Sequence, residues 1–428
     1  MSLRAAFAEV DITPPVGIMK VGWLKELVAE EILDPLFARV AVFECEGEQI
    51  AFVQLDTLSV RWSQVDDIRR RVSAQHGFPG EHIMVSATHN HAGPALTSAG
   101  DVRRDEAYAE RLTQRIVEVF GRTLAQMQPA QLGFGSCCEF GVGYNRRIIL
   151  RNGVVRTHGN FSDPLALCYE GPVDPEVCVI AARTRSAART AEGEPLGALV
   201  NFACHPTHHG ATGALSAGYP GVLVATMKES GWPVTLFLNG AAGNIHTANP
   251  AAGGADPGME QAGQRLAEDA LRVIGGMEFR EGVKLASRKA TAQLPYREVT
   301  EAERTGTAPG AARGVDPAIY ERAIPRLEER IRQRGTQPAE VQVHFLDEYA
   351  LASAPAEYFV QFGLRIKEEA WPRHALIVGF ANGMVGYLPH REAFLRGGYE
   401  ATFTDSSRMA PEAGDLIADC AIALIRAG

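Results

Sequence analysis

The sequence has few of the patterns that identify common protein classes. Its seven cysteines are scattered and form no Cys-x-x-Cys pair, which argues against both a disulfide framework and a zinc knuckle. No apolar run is long enough for a membrane span, and the first residues contain no apolar stretch typical of a secretory signal. We therefore expect a cytoplasmic protein with no membrane span.

An excess of basic residues is also lacking. The net charge is −9, and acidic and basic residues are mixed along the chain, so the sequence predicts no nucleic-acid-binding surface. The glycine-rich stretch after residue 239 is not followed by the Lys-Ser/Thr pair of a phosphate loop, and a Gly-x-Gly-x-x-Gly motif is absent. Binding of a nucleotide cofactor is therefore not predicted.

The chain contains enough apolar residues to bury a large core. It has 428 residues, of which 46% are hydrophobic, and it shows no internal repeat. We predict a single catalytic domain over residues 1–428. The polar segment 300–315, which glycine and proline interrupt, is the best candidate for a mobile connection.

Apolar strands alternate with amphipathic helices along the sequence. Strands at 49–55 and 83–87, for example, flank a segment at 62–75 with helical spacing, and this order predicts a βαβ unit. The fold class we predict is α/β, with central mixed β-sheets flanked by helices. The site is expected in loops at the C-terminal ends of strands.

The stretch 83–94 carries the most specific site pattern. Its apolar, β-branched run gives way to His89-Asn90-His91 and then to a Gly-Pro stop. Side chains two positions apart point the same way in an extended segment, so His89 and His91 can face one cavity while Asn90 points elsewhere. We favour one metal ligand and one proton-handling group. An isolated pair is equally explained by a loop cap and a solvated ring.

Two further strands end near histidines. His205 follows the apolar run 196–204, and His246 follows the run 234–238. Three strand ends with histidines favour a metal site over coincidence. Glu357 lies at an apparent helix start, where the helix dipole alone would explain it. Arg146 precedes a predicted hairpin and either holds an anionic or carbonyl group or is simply solvated.

Taken together, these loops resemble the successive motifs of the neutral/alkaline (non-lysosomal) ceramidase family, in order and in rough spacing across nearly the whole chain. The motifs are His89-Asn90-His91-Ala92-Gly93-Pro94, Ala203-Cys204-His205-Pro206-Thr207, Ala242-Gly243-Asn244-Ile245, Pro355-Ala356-Glu357, and Ala381-Asn382 with Gly386-Tyr387 and Tyr399-Glu400. That family consists of zinc amidases that cleave the N-acyl bond of ceramide. The resemblance implies four Zn²⁺ ligands: His89, His205, Glu357 and Tyr387. It further implies three residues at the scissile amide: His91, Arg146 and Tyr399.

The chain departs from the family pattern in three respects. His246 stands where ceramidases carry serine, with Thr247 in place of proline, and the sequence ends at Gly428 without residues for their C-terminal β-sandwich domain. It also lacks the signal that many of them carry. We therefore predict a zinc-dependent hydrolase that uses zinc-bound water to cleave the C–N bond of a small or soluble N-acyl amide. Its pocket should be smaller and more polar than a ceramide site.

Several alternatives remain open. An esterase or lactonase could use the same scaffold, and the missing serine also fits a binding protein that retains the metal without catalysis. His246 has three candidate roles: an acid–base catalyst, a ligand of a second metal together with His208 or His209, or a residue that fills a turn.

Overall fold

The computed structural model describes residues 3–185, 193–314 and 316–428. Val315, the last residue of the predicted mobile connection, lies outside the described residues. The fold is α/β and contains two mixed sheets between layers of helices, as predicted. None of the helices in the described ranges has the length and apolar character needed to cross a membrane.

The larger sheet has nine strands, most of them antiparallel. Its two parallel pairs join Glu48–Leu55 to Ile83–Ala87 and Pro195–Phe202 to Thr235–Asn239. The first of these pairs is the predicted βαβ unit. In spatial order the strands are Thr235–Asn239, Pro195–Phe202, Glu176–Thr184, Gln128–Cys138, Arg4–Asp11, Phe37–Cys45, Glu48–Leu55 and Ile83–Ala87, with Phe279–Arg280 pairing beside Gln128–Cys138.

The second sheet has four strands and packs face to face on the first. Its order is Leu285–Pro295, Thr336–Leu346, Tyr349–Ala354 and His374–Gly379, and the last two strands are parallel. Apolar residues of both sheets, among them Phe43, Phe52, Leu351 and Val378, form one buried cluster between them. A double layer of sheets therefore makes the centre of the molecule.

Helices cover the two outer faces. The helix Glu106–Ala125 illustrates the local reason: Asp105 accepts a hydrogen bond from the backbone of Tyr108 as its N-cap, and Leu112, Ile116 and Phe120 bury one face. The α-helices are Trp62–His76, Glu106–Ala125, Gly218–Glu229, Met259–Gly275, Glu301–Thr305, Pro317–Arg334, Val360–Glu369, Arg391–Arg396 and Ala413–Arg426. The first four of these cover the larger sheet, whereas Val360–Glu369 and Ala413–Arg426 cover the smaller one.

Short strands and turns complete the loops. Two- to four-residue strands are Met19–Val21, Leu27–Val28, Glu31–Ile32, Gly93–Pro94, Tyr144–Asn145, Arg147–Leu150, Val155–Thr157, Ala166–Tyr169, Ala214–Leu215, Ile245–His246, Glu357–Tyr358 and Tyr387–Leu388. Single 3₁₀ turns are Gly80–His82, Pro250–Ala252 and Tyr399–Ala401.

Asparagine side chains join the strand ends of the two sheets. The Asn382 side-chain oxygen accepts a hydrogen bond from the Val85 backbone amide (2.9 Å), and the Asn382 backbone amide donates to the Val85 carbonyl (2.7 Å). Asn201 in the larger sheet donates to the Ile377 carbonyl in the smaller one (2.8 Å). Because each buried amide is satisfied across the interface, these contacts fix one sheet against the other where the site lies.

One local prediction is wrong. Glu357 is not in the first turn of a helix: it lies in the short strand Glu357–Tyr358, and the helix begins only at Val360. In the segment 300–314, Thr300 and Glu303 form a capping box and Ala311 pairs with Gly398. A mobile connection there stays a prediction.

Candidate active site

His89 and His91 lie directly after the strand Ile83–Ala87, and both line one cavity, as predicted. His89 has a φ of +67°, a left-handed conformation that is unusual for a residue with a Cβ and tends to mark functional sites. Its ring stacks on Phe380, with centroids 3.9 Å apart. Asn90 points away and donates to the Ser216 carbonyl (2.6 Å). The local backbone therefore aims both imidazoles at the cavity.

Each of three histidines is oriented by a backbone carbonyl. Nδ1 lies 2.9 Å from the Leu58 oxygen in His89, 3.0 Å from the Gly22 oxygen in His91, and 2.7 Å from the Ala242 oxygen in His205. A carbonyl oxygen can only accept, so Nδ1 carries the hydrogen in all three rings. In the neutral imidazole, Nε2 then presents a lone pair. Metal-binding histidines typically donate the N–H of the ring nitrogen that does not bind the metal, as Nδ1 does here.

The three Nε2 atoms converge with a carboxylate. His91 Nε2 lies 3.2 Å from His89 Nε2, and Glu357 Oε2 lies 3.5 Å from His89 Nε2 and 3.2 Å from His205 Nε2. Ligand atoms of the three histidines all lie within 4.8 Å of one another. Acceptors that face one another at these distances repel unless a cation lies between them. The arrangement thus has the donors of a metal site.

Electrostatics favour a neutral His205 and an ionised Glu357. Burial, together with Arg146, lowers the pKa of His205 to about 3 against the opposing effect of Glu357. Burial raises the pKa of Glu357, but the opposing effects of His89 and His205 outweigh it, and the net pKa is well below its usual range. Neutral imidazoles and an ionised carboxylate are the forms that bind metals. Two imidazoles with oxygen ligands are a donor set that fits Zn²⁺.

Tyr387 lies opposite Glu357 in a parallel pair of short strands. Its hydroxyl accepts a hydrogen bond from Arg146 Nη2 (3.1 Å). Burial beside Glu357 raises the pKa of Tyr387 well above its ordinary value, and Arg146 opposes that effect. The phenol is therefore placed on the carboxylate side of the histidine cluster, where the resemblance implies a fourth ligand.

Arg146 is buried and is not a solvated hairpin residue. Its Nε donates to Glu400 (2.8 Å), and its Nη2 donates to the Gly243 carbonyl (3.0 Å) as well as to Tyr387. Glu400 is fully buried and also accepts from Thr157 (2.7 Å). Nη1 makes no hydrogen bond to the described residues. Since Arg146 lines the cavity, Nη1 is the part of the guanidinium available to a substrate.

The Ala242-Gly243-Asn244 turn holds elements of the site in place rather than binding a ligand. The Gly243 amide donates to the Tyr358 carbonyl (2.8 Å), so it is not free for a substrate. Asn244 Oδ1 accepts from the amide of Val360 (2.9 Å), at the first residue of a helix. These contacts hold the Glu357 strand against the loop that contains His246.

The cavity has a volume of about 760 Å³. Apolar residues of the lining include Leu24, Leu58, Ala99, Leu150 and Val155. A pocket smaller and more polar than a ceramide site stays a prediction. The volume is within the roughly 300–1,000 Å³ of small-molecule sites. Tyr399, one of the predicted amide contacts, also lines the cavity, with its ring 5.6 Å from that of Tyr387.

His246 lines the cavity but is fully engaged with the protein. Its Nδ1 accepts from the Ala248 amide (2.9 Å), so Nε2 carries the hydrogen and donates to Thr207 Oγ1 (2.7 Å). His208 instead contacts Asp256 (3.2 Å). Among the described residues, neither His208 nor His209 forms a cluster of ligand atoms with His246. The predicted alternative of a second metal is thus not supported by the geometry.

Two residues at the cavity were not predicted. His158 lines it with a φ of +55°, and its ring meets that of His246 edge to face at 4.7 Å. Nothing in the sequence around His158 distinguishes it from a loop histidine. Glu400, the partner of Arg146, directly follows Tyr399. The motif Tyr399-Glu400 could therefore have identified it as a site residue.

A second group of potential ligand atoms lies elsewhere, in Glu176, Cys178 and His374. Lys367 donates to Glu176 (2.7 Å), and His374 donates to the same carboxylate (2.7 Å). The carboxylate is therefore already neutralised by the protein. This group is an ion-pair network rather than a metal site.

Comparison with known proteins identifies the fold. No family model matches the chain. Neutral ceramidase from Pseudomonas aeruginosa is 24% identical over 479 aligned positions, which cover 94% of this chain and 69% of that protein. Its crystal structure matches with a TM-score of 0.75 at 23% identity and covers all of this chain and 75% of that one. A structure of ceramidase complexed with C2 matches with a TM-score of 0.75 at 21% identity, over 100% of this chain and 76% of that one.

The chain thus has a mixed α/β fold with its candidate site at the strand ends, and this fold is that of neutral ceramidase. The matches in sequence and structure support a divergent member of the neutral ceramidase family. The resemblance predicted from the motifs is confirmed.

Proposed function

We propose that the protein is a zinc-dependent hydrolase that cleaves the amide C–N bond of a small or soluble N-acyl compound. The observation that carries this proposal is the convergence of three carbonyl-oriented imidazoles on the Glu357 carboxylate, inside a cavity large enough for a small molecule. The ceramidase likeness favours an amide over other acyl bonds. A cytoplasmic location remains a prediction from the sequence.

The proposed ligands are His89, His205, Glu357 and Tyr387. At this position Zn²⁺ would act as a Lewis acid toward the substrate carbonyl and would lower the pKa of water to about 7. The chain contributes the orientation of the ligands, because Leu58 and Ala242 carbonyls fix the two imidazole rings. Burial of the site strengthens every electrostatic contact within it.

His91 is the proposed proton-handling group. Its Nδ1–H is held by the Gly22 carbonyl, which leaves Nε2 to accept a proton from the attacking water and to pass it to the leaving amine nitrogen. Arg146 Nη1 and the Tyr399 hydroxyl are the proposed donors to the carbonyl oxygen as it gains negative charge. Water adds to the carbonyl carbon, the C–N bond breaks, and a carboxylic acid and an amine are released.

His246 is proposed to act as a positioning residue rather than as an acid or base. Both of its ring nitrogens are already bonded, and burial lowers its pKa well below the ordinary value. It holds Thr207 through Nε2, and Thr207 lines the cavity. The imidazole can therefore shape the pocket where ceramidases carry serine.

The decisive experiment combines metal analysis with hydrolysis of a panel of substrates. Purified protein should contain about one zinc per chain, and chelation should abolish hydrolysis of N-acyl amines until zinc is restored. The same panel includes esters, lactones and ceramide. Faster cleavage of esters or lactones than of amides would replace the amidase proposal with its nearest alternative. A zinc-loaded protein that cleaves none of them would favour the binding protein.

A further inference from the structure

The ionisable side chains that line the cavity are unbalanced in charge. Among the described residues Glu357 is the one carboxylate, and it faces the histidine cluster. Three arginines line the same cavity: Arg146, Arg156 and Arg313. Within the described ranges, no lysine or further acid contributes to this lining. The cavity beyond the proposed metal ligands is therefore electropositive, which suits an anionic substrate better than a neutral one.

Two of the three arginines already have carboxylate partners. Arg146 is paired with the buried Glu400, and Arg156 is paired with Asp163. Arg313 forms no ion pair with any carboxylate among the described residues. Its Nη2 donates to the backbone carbonyls of Arg304 (2.7 Å) and Glu303 (3.5 Å), and its Nη1 makes no hydrogen bond to the described part of the chain. Arg313 is thus the cavity cation whose charge the protein leaves unmatched.

The backbone around Arg313 is anchored at the cavity wall. Ala311 pairs with Gly398, and the Ala312 amide donates to Thr402 Oγ1 (2.8 Å). The Gly314 amide donates to the Tyr320 hydroxyl (3.0 Å). The Arg313 guanidinium also lies over the Tyr320 ring, 4.8 Å from its centroid. The charge is therefore held in place before any ligand arrives, which lowers the entropic cost of binding.

We propose that the substrate is an N-acyl amino acid, whose carboxylate is bound by Arg313 while its acyl chain contacts the apolar residues that line the cavity. The proposal rests on the proposed amidase function and adds the chemical class of its substrate. The Nη1 amino group of Arg313 can donate a charge-assisted hydrogen bond to a carboxylate. Leu24, Leu150 and Val155 offer an apolar surface for the chain. Hydrolysis consumes one water and yields a fatty acid and a free amino acid.

The test measures binding, so it does not depend on turnover. The ligands are 4-oxoundecanoate, in which a methylene replaces the amide nitrogen of N-octanoylglycine, and its neutral primary amide. Dissociation constants are measured by titration calorimetry on the zinc-loaded protein. The wild type should bind the anion about tenfold more tightly than the amide, the size expected for one hydrogen bond to a charged group. Arg313→Gln should remove this preference.

Arg304→Gln is the matched control, because Arg304 lies in the same segment but outside the cavity lining and is paired with Glu328. It should retain the full preference for the anion. Equal binding of the two ligands by the wild type overturns the proposal, whether or not Arg313→Gln folds. A preference that persists in folded Arg313→Gln also overturns it. Failure of the amidase function is separate: it would appear as absent hydrolysis of N-octanoylglycine despite selective binding of 4-oxoundecanoate.

Discussion

Glu357 and Tyr387 lie directly opposite each other in a two-residue parallel strand pair, although they are far apart in the sequence. The pair places a carboxylate and a phenol beside the histidine cluster from a single rigid element. The close approach of Gly243 supports it, since a Cβ on Gly243 would lie 2.5 Å from the Glu357 carbonyl oxygen. Backbone packing, rather than the side chains alone, therefore sets the position of the carboxylate.

Gly243→Ala should displace Glu357 and weaken metal binding. Overpacking of this kind costs about 1–3 kcal/mol, so the melting temperature should fall together with the zinc content. Gly275→Ala is the control, because a Cβ there meets nothing within 4 Å and the residue ends a helix. It should keep zinc and be at least as stable as the wild type. Unchanged zinc content in Gly243→Ala would contradict the supporting role of the glycine.

The sequence predicted the regular elements and the convergence of the histidines. The helix predicted over 62–75 is Trp62–His76, because its apolar spacing is a local signal that burial satisfies directly. Histidines after three separate strands pointed to one site because functional residues concentrate in the loops that follow strands. Both inferences depended on short-range patterns that the fold preserves.

Long-range pairing could not be predicted in the same way. The strand that contains Glu357 exists because it pairs with Tyr387. Arg146 is buried because Glu400, distant in sequence, neutralises it. No local periodicity encodes these partners, so the sequence suggested a helix start at Glu357 and, before the family resemblance, left Arg146 open between a solvated residue and a group that holds an anion or a carbonyl.

The division of labour between His89 and His91 can be tested by substitution. His89→Ala should lose zinc, because it removes a proposed ligand. His91→Ala should retain zinc and lose about 10²–10⁴-fold in kcat, the usual contribution of an acid–base group. Zinc content by atomic spectroscopy and kcat are measured on both. Loss of zinc from His91→Ala would assign that ring to the metal instead.

Acid stability should depend on Glu176. Burial raises its pKa, but the hydrogen bond from His374 and the charge of Lys367 outweigh burial and lower it to about 2. The folded pKa is below the unfolded value of about 4.3, so this carboxylate stabilises the fold above that pH. Its contribution is lost as the pH falls from about 4.3 toward 2. Glu176→Gln should lower the melting temperature at pH 7 and flatten its decline on acidification.

The melting temperature is measured between pH 7 and pH 3 for wild type and variant. Glu260→Gln, on the exposed first turn of a helix, is the control and should follow the wild-type profile. Parallel profiles for Glu176→Gln and wild type would show that Glu176 does not govern this acid sensitivity.

His246→Ala tests what replaces the family's serine. If His246 only positions Thr207, His246→Ala should keep the zinc content of the wild type. Its kcat should fall by less than the roughly 10²–10⁴-fold expected for loss of an acid–base residue. Thr207→Val, which removes the hydroxyl that His246 holds, should have a similar effect. Because both substitutions break the same hydrogen bond, the double variant should be little worse than either single variant.

Each competing role of His246 gives a different result. A lower metal stoichiometry in His246→Ala would indicate a second metal, and a loss of 10²-fold or more with zinc retained would indicate acid–base catalysis. Wild-type values of kcat and zinc content would reduce His246 to a residue that fills a turn. His246→Ser is the companion variant: activity toward ceramide in this variant alone would show that the missing serine, rather than the shape of the cavity, excludes that substrate.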